Sequence, residues 1–120
     1  MTVSELAKKL GLEIITMTDP EREITGGYVC DFLSFVIGRA NPGDVWITVV
    51  GNINTVAVSL LAGAACVILA ENSPIDSQAA EKAKAEGVTI LRSGKSSFEL
   101  TCEIGRLIGW REQTAPKHRG

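Results

Sequence analysis

The sequence predicts a three-layer α/β/α domain with a mostly parallel sheet of about four to five strands. Three observations carry this prediction. Short β-branched or apolar runs alternate with longer segments at helical spacing, the pattern that right-handed βαβ crossovers produce. The runs at 45–50 and 66–70 have almost no polar interruption, as expected of strands covered by helices on both faces. Gly11, Gly63 and Gly87 fall just after helical stretches, where a left-handed residue closes a helix.

Thr2-Val3-Ser4-Glu5 has the form of a capping box, so a helix is expected over 3–10 with Gly11 as its stop. Residues 13–17 read as a strand, broken by Asp19-Pro20. After a loop through Thr25-Gly26-Gly27, the segment YVCDFLSFVIGRA places Val29, Phe32, Leu33, Val36, Ile37 and Ala40 on one helical stripe. A helix is expected over 28–40, ended by Asn41-Pro42-Gly43. The strand at 45–50 turns at Gly51-Asn52-Ile53-Asn54 into an interior helix over 55–62, followed by the strand at 66–70. Ser73-Pro74 is expected to open a helix running to Gly87, with proline in its first turn. A last strand at 88–91 and a helix from Ser97 to about residue 108 complete a single domain at 1–109. Residues 110–120 read as a polar, flexible tail.

The fragment Gly94-Lys95-Ser96 looks like the end of a phosphate-binding loop. That loop needs a glycine five places earlier to open a wide turn, and here Thr89 stands inside the strand 88–91. Ser96-Ser97-Phe98-Glu99 reads instead as a second capping box. Other chemistry is excluded by composition. The single histidine, His118, lies in the polar tail, so no His-based triad or zinc site forms around the core. Cys30, Cys66 and Cys102 sit in apolar segments at a spacing that suits neither metal nor disulfide, and are expected to be buried thiols. Hydrophobic residues make up 45% and charged residues 22%, with a formal net charge of −2, so neither a nucleic-acid face nor a membrane span is expected. The N-terminal helix resembles the first helix of a helix-turn-helix, but the strand-like EIITM stands where the reading helix would be. With no apolar signal stretch at the N-terminus, a cytoplasmic location is expected.

Arg22 with Thr25-Gly26-Gly27, then Tyr28-Val29, Asp31-Phe32-Leu33, Pro42-Gly43-Asp44 and Trp46-Ile47-Thr48, resembles the DRTGG domain family, and the likeness runs over about 3–108. Glu21 replaces the aspartate of that signature and keeps a carboxylate able to pair with a cation. The rhythm of PGDVWITV and VILAE also looks like the N-terminal domains of Mur ligases and of HPr serine kinase/phosphorylase, whose nucleotide-hydrolysing loop lies in a separate downstream domain. The resemblance implies a regulatory or substrate-holding module.

The candidate sites follow from the expected elements. Thr25, Gly26 and Gly27 precede the expected helix at 28–40, so their amides and its positive end would receive an anion; an N-cap with a tight turn is the alternative. Gly51, Asn52, Asn54 and Thr55 follow the carboxyl end of a strand, where open α/β sheets bind ligands, with helix capping as the alternative. Glu71 and Ser93 end neighbouring strands, and all these residues are expected at one sheet edge, where the Glu71 charge would repel an anion unless it pairs with Arg92 or takes a ribose hydroxyl. Asp31, Ser34 and Gly38 fall on a solvated helix face. Tyr28, Phe32 and Phe35, continued by Arg39, form a wing beside the core stripe, expected as a homodimer interface.

The expected function is therefore a non-catalytic regulatory or ligand-sensing module acting as a homo-oligomer on a small anionic or nucleotide-like ligand. It is expected to need no cofactor or metal and to contact a regulatory protein partner. One alternative is a phosphotransferase-type fragment in which Asp31, Asp44 and Glu71 hold magnesium. The other is a pure interaction subunit.

Overall fold

In the computed structural model, which describes residues 1–110, five strands form one sheet in the order β1-β5-β4-β3-β2. They are β1 (Glu13–Thr16), β2 (Gly26–Val29), β3 (Asp44–Thr48), β4 (Cys66–Leu69) and β5 (Ile90–Arg92), joined by α1 (Val3–Leu10), α2 (Leu33–Arg39), α3 (Ile53–Ala62), α4 (Ser77–Glu86) and α5 (Ser97–Leu107). β2 to β5 are parallel, and β1 runs antiparallel to β5 at the sheet's edge. The four parallel strands follow one another across the sheet without reversal. Right-handed crossovers in a constant direction put α2, α3 and α4 on one face. α1 and α5 cover the other.

The strand residues divide cleanly between the two layers. Val45, Ile47, Cys66, Ile68 and Leu91 pack with Val3 and Leu6 of α1 and Leu100 and Ile104 of α5. Trp46, Val67, Leu69 and Ile90 pack with Val36, Val56, Ala62, Ala79 and Ala83 of the opposite layer. This is the period-2 alternation of a strand applied on both faces. The three-layer α/β/α architecture with a mostly parallel sheet is as the sequence indicates.

Both capping boxes are present. Thr2 Oγ1 accepts from Glu5 N at 3.2 Å while Glu5 Oε1 accepts from Thr2 N at 2.8 Å. Ser96 and Glu99 repeat the exchange at 3.1 and 3.0 Å. These bonds favour the ionised carboxylates, and hold both Glu5 and Glu99 below the usual glutamate range, chiefly through the backbone N–H each receives. Gly11, Gly63 and Gly87 are all left-handed helix ends.

Four expectations are corrected. The helix expected over 28–40 is two elements: Gly26–Val29 joins the sheet beside β3, and α2 begins only at Leu33. The apolar spacing reads through the junction because Val29 and Phe32, which match the helical stripe, belong to the strand and to the turn after it. α4 starts at Ser77 rather than at Pro74, because the intervening residues are tied back to the sheet: Asp76 N donates to Gly51 O at 2.9 Å and Ser73 Oγ to Ala70 O at 2.6 Å. Of the three thiols only Cys66 is buried; Cys30 is half-buried and Cys102 lies on the outer face of α5. Burial pushes the Cys66 thiol up to about 12. Finally, Trp110, assigned to the tail, donates its N–H to Gly105 O at 2.8 Å. The rest of the expected tail, with His118, lies outside the described residues.

Three predictions follow from the caps, the Lys95 ion pair and the core. Ser96→Ala should cost about 1 kcal/mol in denaturant unfolding. Lys95→Ala, which loses a partly exposed pair with Glu103 (2.7 Å), should cost less than about 1 kcal/mol. Asp44 is the buried carboxylate of the core, and burial raises its pKa against the opposing effect of the Asn41 N–H it accepts. A carboxyl with a raised folded pKa contributes stability below the ordinary aspartate range that is lost as pH rises through the folded value. Thermal unfolding of Asp44→Asn should therefore lose this fall in Tm across the acidic range, and a Tm–pH profile identical to wild type would contradict it.

Candidate functional site

The expected site residues fall at opposite edges of the sheet. At the amino edge, where β2 and β3 start, the signature residues build a clasp. Arg22 Nη2 donates to Gly63 O at 2.8 Å, and Gly43 N donates to the same carbonyl at 2.9 Å. Thr25 N donates to Gly43 O at 3.0 Å, and the Thr25 hydroxyl to Pro42 O at 3.3 Å. Gly43 has φ +89° and lies against the Thr25 side chain, while a Cβ on Gly26 would stand 2.9 Å from Asp44 Oδ1. Left-handed backbone and lack of space both demand glycine there. Thr25, Gly26 and Gly27 thus do not precede a helix, and the anion cradle expected of them is replaced by strand and clasp.

At the carboxyl edge the loops after β3, β4 and β5 come together. Asn72 N donates to Ser93 O at 2.8 Å, Glu71 N to Lys95 O at 2.9 Å, and Arg92 Nη1 to Ser73 O at 3.2 Å. Gly51, Asn52, Asn54, Thr55, Glu71 and Ser93 all sit on this edge, as the sequence suggests. Several are engaged in building it. Asn52 Oδ1 accepts from Asn54 N at 2.9 Å and Thr55 N at 3.3 Å, so it caps α3, and Thr55 Oγ1 donates to Val50 O at 2.7 Å. A Cβ on Gly51 would meet the Pro74 carbonyl, so this glycine admits the neighbouring loop.

Of the two roles open to Glu71, the pair with Arg92 is not formed. Arg92 grips Glu13 of β1 through two bonds of 2.9 and 3.0 Å, which also holds the Glu13 carboxyl below its usual range. Lys95 is held by Glu103 at 2.7 and 2.9 Å. The magnesium alternative fails on geometry. Asp44 starts β3 at the amino edge, whereas Asp31 follows β2 and Glu71 follows β4 at the carboxyl edge. Among the described residues no group of three acidic, cysteine or histidine side chains converges on a metal position.

Two features were not legible from spacing. Asp31, assigned to a solvated helix face, accepts from Thr48 Oγ1 at 2.8 Å and Val49 N at 3.0 Å, stitching the ends of β2 and β3. Glu71 and Asn72 are consecutive non-glycine residues in the left-handed region, with φ 59° and 54°. Such conformations cost about 1–3 kcal/mol each and persist where the surroundings impose them. They occur where the connections of adjacent strands diverge: β4 leads to α4 on one face and β5 to α5 on the other. This is the divergence that opens a crevice in α/β sheets.

The expected aromatic wing is partly assembled. Phe32 and Phe35 pack edge-to-face with centroids 4.9 Å apart at 70°, and the Arg39 guanidinium lies 3.8 Å over Phe35. Tyr28 is on β2 and packs into the core layer of α2, α3 and α4, so it does not belong to that corner.

No family model matches the chain, and no curated protein matches it by sequence. Among solved structures it is similar to the crystal structure of the CBS and DRTGG domains of the regulatory region of Clostridium perfringens pyrophosphatase, complexed with its activator diadenosine tetraphosphate. The TM-score is 0.68 at 14% identity, over 84% of this chain and 44% of that one. The chain is a three-layer α/β module whose fold recurs in a regulatory region. More particularly, its fold is DRTGG-like. It spans less than half the length of that chain. No helix among the described residues is long and apolar enough to cross a membrane.

Arg22→Ala should destabilise the fold by about 1.5–3 kcal/mol, the worth of a charge-assisted hydrogen bond, because Gly63 O loses one of its two donors. Urea unfolding checks this, and an unchanged midpoint would show that the signature arginine is not structural.

Proposed function

We propose that this chain is a non-catalytic, cytoplasmic regulatory module that senses a small nucleotide-like ligand on the loops that follow β4 and β5 at the carboxyl edge and acts as a homo-oligomer. The observation that carries the reading is the left-handed pair Glu71-Asn72 at the divergence of β4 and β5. Backbone strain held at such a point is a hallmark of binding loops. Glu71 offers a carboxylate to ribose hydroxyls, and Asn72 and Ser93 offer amide and hydroxyl groups to orient a base or sugar. Asp76, the N-cap of α4, makes no side-chain bond to its helix, so that first turn keeps amide donors for a phosphate.

The charged side chains that chemistry would need are already engaged: Lys95 with Glu103, Arg92 with Glu13, Asp31 with Thr48 and Val49. That engagement favours sensing over catalysis. The regulatory setting of the similar fold, and the dinucleotide in that complex, support the same class of ligand. The exposed corner of Phe32, Phe35 and Arg39 supports a protein contact as the output, with a second copy or a regulatory partner.

Backbone amide NMR titration with AMP, ATP, diadenosine tetraphosphate and inorganic phosphate tests the site. Shifts should cluster at 71–73, 76–78 and 93–95, and leave 25–27 unmoved. Silence at the carboxyl edge with every nucleotide at millimolar concentration would overturn the ligand reading and leave an interaction subunit.

A further inference from the structure

The two edges of the sheet are unlike each other. The β1 edge is guarded: it carries Glu13 in an ion pair, and its pairing is interrupted by a bulge between Ile14 and Thr16. Charges and bulges of this kind prevent edge-to-edge pairing. The β2 edge, Gly-Gly-Tyr-Val, has no charge, no proline and a regular register with β3. Cys30 N donates to Ile47 O at 3.2 Å, so by alternation the even-numbered residues face β3, and the N–H and C=O groups of Gly27 and Val29 point away from the sheet. Among the described residues no strand pairs with the outer side of β2, and apolar surface flanks this edge on both faces. On one side a cavity of about 180 Å³ runs between α5 and the strands, lined by Val29, Val45, Ile47, Ile104, Ile108 and Trp110. On the other, Phe32 is 60% exposed and Phe35 40%.

We infer that the occupant of this edge is a second copy of the chain, its β2 pairing antiparallel with the first to make one continuous ten-stranded sheet from the five strands of each copy. The inference rests on the homo-oligomer reading and specifies its interface. A two-fold axis perpendicular to the sheet keeps each face on its own side, so residues of equal parity must oppose each other. Centring the axis on Tyr28 makes Gly27 and the partner's Val29 a hydrogen-bonded pair, and the reverse pair follows by symmetry. These are the positions whose polar groups are free of β3. Tyr28 then faces the partner's Tyr28 in the close, non-hydrogen-bonded position. Gly27, without a side chain, leaves room for the partner's Val29 on the groove face. The α5 helices then flank the seam on one side. The Phe32–Phe35 corners flank it on the other side, so the edge and the aromatic corner belong to one self-complementary surface. A peptide of another protein would also find these backbone groups, but the two-fold pairing sets like flank beside like flank, α5 beside α5 and aromatic corner beside aromatic corner.

Sedimentation equilibrium and concentration-dependent amide hydrogen exchange test this together. The wild type should show twice the chain mass of 12.8 kDa, with Gly27 and Val29 amides protected only at dimer concentrations. Val29 is 45% exposed, so Val29→Lys should keep the circular dichroism of the fold and sediment as a monomer. A dimer whose Gly27 and Val29 amides exchange as fast as in the dilute protein, or which survives Val29→Lys, would overturn the edge pairing while leaving homo-oligomerisation standing. A wild type that stays monomeric to millimolar concentration would overturn both. If Val29→Lys fails to fold, wild-type amide protection at high against low concentration decides alone.

Discussion

One carbonyl organises the start of the sheet. Gly63 O, at the left-handed end of α3, receives the Arg22 guanidinium and the Gly43 N–H together. Through Gly43 it is joined to Thr25, and Ala65 N donates to Asp44 O at 2.7 Å just beyond. The entries to β2, β3 and β4 are therefore fixed relative to one another and to α3. A cation at a helix C-terminus also suits the helix dipole, so the same contact satisfies an orphan carbonyl and its charge. The buried Asp44 carboxyl lies within this arrangement, close enough to Gly26 that a side chain there would collide with it.

Fixing the strands at their amino ends leaves the carboxyl ends to carry the variable loops. This division is common in parallel sheets, because loops at the carboxyl edge face helix N-termini and their free amides. Here the edge is itself well braced, by the Asn52 cap, the Asp31 stitch and the backbone bonds between the β4 and β5 loops. The strain is confined to Glu71 and Asn72. A braced edge with one strained pair suits a site that responds to a ligand rather than one that performs chemistry.

The periodic elements were legible because each is specified locally. α1 and α5 carry their own capping boxes, and β3 and β4 are apolar on both faces, so no tertiary information is needed to place them. The junction of β2 and α2 was not legible, since Val29 and Phe32 satisfy helical spacing and the strand's pairing depends on Val45 and Ile47, distant in sequence. That single misreading displaced Thr25, Gly26 and Gly27 from the start of a strand to the start of a helix, and carried the anion cradle with them. The carboxyl-edge residues were placed correctly, because a strand's end fixes its edge whatever the boundary error. The left-handed pair and the Asp31 bonds are tertiary consequences, with no spacing to announce them.

The central claim is that the signature residues are a structural clasp on which the sheet depends. Native-state hydrogen exchange at the Gly43 amide tests it most directly, since this N–H is bonded to Gly63 O and to nothing outside the clasp. If the sheet depends on the clasp, Gly43 exchanges only with global unfolding, and its opening free energy equals that of core amides such as Val67 and Ile68. A Gly43 amide that exchanges through a local opening, while Val67 and Ile68 stay protected, would contradict it.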